Sequence, residues 1–131
     1  MWMPRPQRQP KPPVPGNLKE ELSSKAEELV EKHLKPTHLK PPPRNPQWNY
    51  LIDIWTKWHQ SYFYFCTTYA SPYPHALSPT FELRFARMAY VGQDRFNLAY
   101  MRHNGQWNEI FFNLPIDACL AAIRDEPHFL P

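Results

Sequence analysis

Two groupings in this chain are of residue types that do chemistry. Cys66 has His59 and His75 near it in sequence, which would suit a thiol nucleophile activated by an imidazole. Asp53 and Glu109 both fall in segments that read as strands, which would suit a pair of carboxylates sharing acid and base duty. Context weakens both. Phe63, Tyr64 and Phe65 run directly into Cys66, and burial among rings raises a thiol pKa and silences it. A cross-strand ion pair with Lys57, Arg84 or Arg87 accounts for the carboxylates more simply. The six histidines, His33, His38, His59, His75, His103 and His128, show no ligand spacing, and neither HExxH nor CxxC occurs. Of the three glycines, Gly92 and Gly105 sit in turn sequences, which leaves only Gly16, too few for a phosphate-cradling loop. The expectation is no catalytic residue, no cofactor and no metal.

A third grouping is the stretch "FNLAYMRHNGQW", residues 96–107, where Arg102, His103 and Trp107 crowd around Asn104-Gly105. Asn-Gly predicts a two-residue type I′ turn, because both positions then need φ > 0. That turn would set Arg102 opposite Trp107, Tyr100 opposite Glu109, Leu98 opposite Phe111 and Phe96 opposite Asn113. Arg102 would lay its guanidinium on the indole, a structural contact worth roughly 0.5–1 kcal/mol when exposed. His103, one residue on, reads as a solvated shoulder.

These side chains need a scaffold, and proline divides the chain that builds it. Eleven of the 17 prolines lie in residues 1–46. Residues 1–16 read as a disordered, proline-rich leader, since "PRPQRQPKPPVPG" lacks the donors for hydrogen-bonded ladders. Residues 17–35 carry an amphipathic helix, over about 18–34. Asn17 serves as its cap, Glu20 as capping-box partner, and Lys35-Pro36 as its stop. Leu18, Leu22, Ala26, Leu29, Val30 and Leu34 form one apolar stripe that must pack on the domain, on a twin or on another protein. Residues 36–46 act as a stiff spacer.

Residues 47–131 read as the compact α+β domain. "NYLIDIWTKWHQSYFYFCTTYA" fits either a helix or two strands. Its aromatic and β-branched run favours strands over about 49–57 and 62–70, turning near His59-Gln60-Ser61. "TFELRFARMAYV", "RFNLAYMRH" and "QWNEIFFN" add three more strands, and "NLPIDACLAAIRDEP" a short closing helix. The sum is an antiparallel meander of about five strands with a C-terminal helix and an N-terminal amphipathic helix.

Charge and aromatic content bound the function. Residues 1–16 and 35–46 each carry +3, residues 17–34 carry −2, and residues 47–131 carry −1. A fold that bound nucleic acid mainly through phosphates would need surplus cations on its own surface. No stretch approaches the roughly 20 apolar residues that span a bilayer, so no membrane partner is expected and the location reads as cytoplasmic. Two cysteines, Cys66 and Cys119, are too few for a disulfide framework. All the aromatic residues except Trp2 lie in residues 47–131, more than a core of that size absorbs. The expected function is a non-enzymatic protein-interaction module. It would bind another protein, or itself, through the sheet face or the 18–34 helix. Its candidate surface is Trp55, Trp58, Tyr62, Tyr64, Tyr100, Arg102 and Trp107. The alternative is a single-stranded nucleic-acid binder that stacks bases on those aromatics and uses the basic leader for phosphates.

Overall fold

Helix formation begins at Gly16, one residue before the predicted cap. In the computed structural model, which describes residues 12–131, α1 (Gly16–Leu29) runs into a π-helical turn (Val30–Leu34) and then α2 (Lys35–His38). The Pro15 carbonyl accepts from the Leu18 and Lys19 amides at 3.1 and 3.0 Å, and no side chain caps the helix. Asn17 therefore stands in the first turn, and the expected capping box does not form. The helix also outruns its expected stop at Lys35-Pro36. Proline lacks the amide that an α-helix bonds to residue i−4, and its ring crowds that carbonyl. A wider π turn directly upstream, where the Lys35 amide donates to the Val30 carbonyl, makes the room.

The stripe Leu18, Leu22, Ala26, Leu29, Val30 and Leu34 is buried throughout and shares one core with the sheet. Of the three places it could pack, it packs on its own domain. Val14 also leans on that core, and α1 starts at Gly16. Of the leader expected over 1–16, residues 1–11 lie outside the described residues.

The sheet is an antiparallel meander in the order β1-β2-β3-β4-β5. Its strands are β1 (Tyr50–His59), β2 (Tyr62–Ala70), β3 (Thr80–Gly92), β4 (Arg95–Met101) and β5 (Trp107–Leu114). The ambiguous 50–69 segment is thus two strands, as its β-branched and aromatic run favoured. Pro115 precedes α3 (Ile116–Asp125), which buries Ile116, Cys119, Leu120 and Ile123, and a 3-10 turn (Pro127–Phe129) adds Phe129. The result is the expected α+β fold. Helices α1 and α3 contact each other and the sheet, closing over Phe63, Phe65, Met88, Phe96 and Leu98. The Trp58 indole N–H donates to Ser23 Oγ at 3.0 Å, tying β1 to α1.

The turns correct the predicted geometry. Asn104 is not among the residues with positive φ, whereas Gly105 has φ 81°. The Gly105 amide donates to the Arg102 carbonyl and the Arg102 amide to the Gln106 carbonyl, both at 2.9 Å. This is a three-residue loop ending in a left-handed glycine, not a two-residue I′ turn. The extra residue moves the register by one: Met101 faces Trp107, Tyr100 faces Asn108 and Ala99 faces Glu109. Beyond a bulge Leu98 faces Phe111 as expected, and past a second irregularity Phe96 faces Leu114 rather than Asn113. Positive φ at both loop positions occurs instead at Gln93 (54°) and Asp94 (58°), between the paired Gly92 and Arg95.

Gly105 has open space where a Cβ would stand, so a side chain there meets only the backbone strain of its φ. Gly105→Val is expected to destabilise the domain by at least about 1 kcal/mol, and Gly105→Asn by clearly less. Denaturant midpoints measure both, and an unchanged midpoint for the valine variant would show that the left-handed glycine is not there.

Candidate interaction surface

Strand pairing sorts the aromatics onto two faces. Trp58 pairs with Phe63 and Phe63 with Met88 on the helix-covered face, where Trp58 and Phe63 meet edge to face at 5.0 Å. The other face carries Trp55 opposite Cys66, Lys57 opposite Tyr64, and Tyr64 in turn opposite Arg87. Four buried residues on this face, Tyr64, Cys66, Ala89 and Ala99, stand outside the core cluster that the helices close. They are buried by their own neighbours across the strands.

Those neighbours alternate cation and ring. The Arg87 guanidinium lies 4.9 Å from the Tyr62 ring centroid and 5.1 Å from that of Trp107. Arg84 lies 4.4 Å from Tyr64, and the Lys57 ammonium 5.6 Å from Trp55. Tyr64 and Trp107 contact each other at 5.8 Å, and the Trp55 indole donates to Thr68 Oγ1 at 3.0 Å. Each of the four rings thus has a cation beside it, with a gain of roughly 0.5–1 kcal/mol per exposed contact. Lys57, Arg84 and Arg87 make no ion pair among the described residues. Among the described residues, the Arg87 Nε is buried without a hydrogen-bond partner. Buried donors in native folds are normally paired, with protein groups or with water.

Arg84 and Arg87 owe this arrangement to one irregularity. Residues three apart on a regular strand point to opposite faces. Between Phe65 and Cys66 the register slips, so that Phe65 faces Ala86 but Cys66 faces Arg84. The bulge in β3 inserts one residue and returns both arginines to one face. Sequence reasoning missed Lys57, Arg84 and Arg87 as surface residues for this reason, and took them only as ion-pair partners.

The predicted surface therefore divides. Trp55, Tyr62, Tyr64 and Trp107 come together on the helix-free face. Trp58 belongs to the α1 side, and Tyr100 packs at its own face's end beside His128, with ring centroids 4.8 Å apart. Arg102 stands exposed in the 102–106 loop and does not face Trp107, whose guanidinium neighbour is Arg87.

The chemistry considered for the carboxylates and the thiols separates as well. Asp53 and Glu109 lie on β1 and β5, the opposite edge strands of the sheet. Asp53 accepts from the Ile54 amide at 2.9 Å and pairs with Lys35 at 3.3 Å, so its ion-pair partner comes from α2 and not from Lys57, Arg84 or Arg87. A carboxylate so placed guards an edge strand against further pairing. Cys66 and Cys119 are free and buried. Burial raises the Cys66 thiol pKa despite the opposing pull of Lys57 and Arg84, and pushes that of Cys119 up to about 12. At pH 8 both are therefore protonated, and neither should react with a twofold excess of a thiol-reactive chromophore within minutes unless denaturant is added. Rapid stoichiometric labelling of the native protein at pH 8 would contradict that burial. Among the described residues, no group of three His, Cys, Asp or Glu side chains could hold a metal ion, and no helix is long and apolar enough to cross a membrane.

No curated protein and no solved structure matches this chain. One family does, a domain of unknown function designated DUF3024, and the match covers residues 14–131. It starts at Val14, the first residue that leans on the core, and takes in α1, the sheet and α3 together. The chain is a member of the DUF3024 family.

Proposed function

We propose that the domain is a non-enzymatic protein-interaction module whose helix-free sheet face receives an acidic segment of a partner protein. The observation that carries this reading is the row Lys57, Arg84 and Arg87, held between Trp55, Tyr62, Tyr64 and Trp107 and lacking carboxylate partners. Ring contacts hold each charged group in place, which reduces the ordering entropy that a partner must supply on binding. Arginine offers carboxylates a planar pair of donors, and aromatic neighbours supply apolar contact area around it. The same row favours a second reading, single-stranded nucleic acid. Tyr64 counts against it, being 6 % exposed, as do the cations that already occupy ring surfaces on which bases would stack.

Fluorescence anisotropy separates the readings. A labelled 15-residue peptide rich in aspartate and glutamate is expected to bind saturably at micromolar protein and physiological salt. Labelled 20-mer DNA and RNA of mixed sequence are expected not to. Saturable oligonucleotide binding that Trp107→Ala removes from a folded protein, with no peptide binding, would replace the first reading by the second.

A further inference from the structure

We propose that a second site, at the end of the sheet where the 102–106 loop meets the C-terminal residues, binds a small amphiphilic carboxylate. A cavity of about 420 Å³ opens there. Its apolar wall comes from Tyr69, Leu83, Phe85, Met101 and Leu130. Its polar residues are Thr67, Arg84, Arg102, His103 and His128, and among the described residues no Asp or Glu lines it.

Three observations point to that ligand class. The volume falls within the roughly 300–1,000 Å³ typical of small-molecule sites, which combine an apolar lining with a few polar groups. Leu83 and Leu130 are 52 % and 62 % exposed, so two large apolar side chains that folding has left in water meet at this opening. Arg102 has no ion-pair partner among the described residues, which leaves its donors for an anion, whereas the Arg84 guanidinium is already laid on the Tyr64 ring. An apolar wall beside the Arg102 guanidinium matches an alkyl or aryl body carrying one carboxylate, since Arg and carboxylate pair through two parallel hydrogen bonds. The hairpin shoulder of Arg102 and His103, which reads in sequence as a structural rim, thereby becomes one wall of a pocket.

Decanoate, 1-decanol and acetate are the probes, followed by isothermal titration and by amide shifts in NMR. Decanoate is expected to bind with a Kd on the order of 100 µM, as a dozen heavy atoms of modest ligand efficiency would give. Decanol is expected to bind at least fivefold more weakly, and acetate not measurably at millimolar concentration. The amides of Leu83, Met101 and Leu130 should shift. Arg102→Ala, at an exposed loop position, should weaken decanoate at least fivefold without altering the melting temperature. Leu83→Trp should fill the cavity and remove binding. Arg87→Glu, at a residue that does not line this cavity, should leave decanoate affinity unchanged, so failure here and failure of the sheet-face reading are separable. Equal affinity for decanoate and decanol, an Arg102→Ala protein that binds decanoate normally, or no saturation up to 1 mM would each overturn the proposal.

Discussion

Leu22→Ala is expected to lower the free energy of unfolding by about 2–5 kcal/mol. Leu22 is 0 % exposed at the middle of α1, with Leu18 and Ala26 one turn to either side, and those two are equally enclosed at 3 % and 0 %. Truncation removes the transfer free energy of three carbons. It also leaves a cavity that the helix is badly placed to close, because the Trp58 indole bonds Ser23, next to Leu22, and ties the helix to β1 at that point. A helix serving mainly as a docking arm for another protein would show a different result, a loss below about 1 kcal/mol, since its apolar stripe would then be wet in the isolated protein. Urea denaturation followed by far-ultraviolet circular dichroism distinguishes the two. The loss should appear as a lower midpoint with an unchanged slope, because the native fold and the area exposed on unfolding stay the same.

Reversing the charge of Arg87 should weaken the acidic peptide at least tenfold, which corresponds to about 1.4 kcal/mol. Arg87 is central to the surface, touching the rings of both Tyr62 and Trp107, and its Nε is a buried donor without a partner among the described residues. Arg87→Glu replaces that donor with a repulsive carboxylate. Arg87→Lys keeps the charge and loses the planar fork, so its affinity should fall between those of the parent and the glutamate variant. Stability responds less than binding. Two ring contacts of roughly 0.5–1 kcal/mol each are lost, while the unfavourable burial of an unpaired Nε is relieved. Raising salt should weaken the peptide for the parent protein and much less for Arg87→Glu. Equal peptide affinity across the three proteins would show that the face is not the binding surface.

Elements whose period and punctuation agree were legible in the sequence. The stripe from Leu18 to Leu34 repeats at helical spacing and is buried at each position. The run Tyr62–Ala70 is aromatic and β-branched and forms β2. Pro115 and the Ile116–Ile123 spacing mark α3, and the apolar run to Cys66 anticipated a buried thiol. Local composition decides these features, because a helix stripe or a strand follows from residues a few places apart.

What local pattern could not decide was phase. A single inserted residue flips every side chain beyond it to the other face, and composition carries no mark of where it falls. In the 102–106 loop that residue parted Arg102 from Trp107, and at Phe65/Cys66 it brought Arg84 and Arg87 together. Which face the helices cover is also a property of the whole chain. Trp55 and Trp58 lie three residues apart with the same chemistry, yet α1 takes Trp58 and leaves Trp55 beside Lys57. The sequence by itself determined an aromatic-rich antiparallel meander with an amphipathic helix at each end. The tertiary structure alone decided which rings meet cations on the helix-free face, because that depends on strand register and helix docking, which only contacts distant in sequence can set.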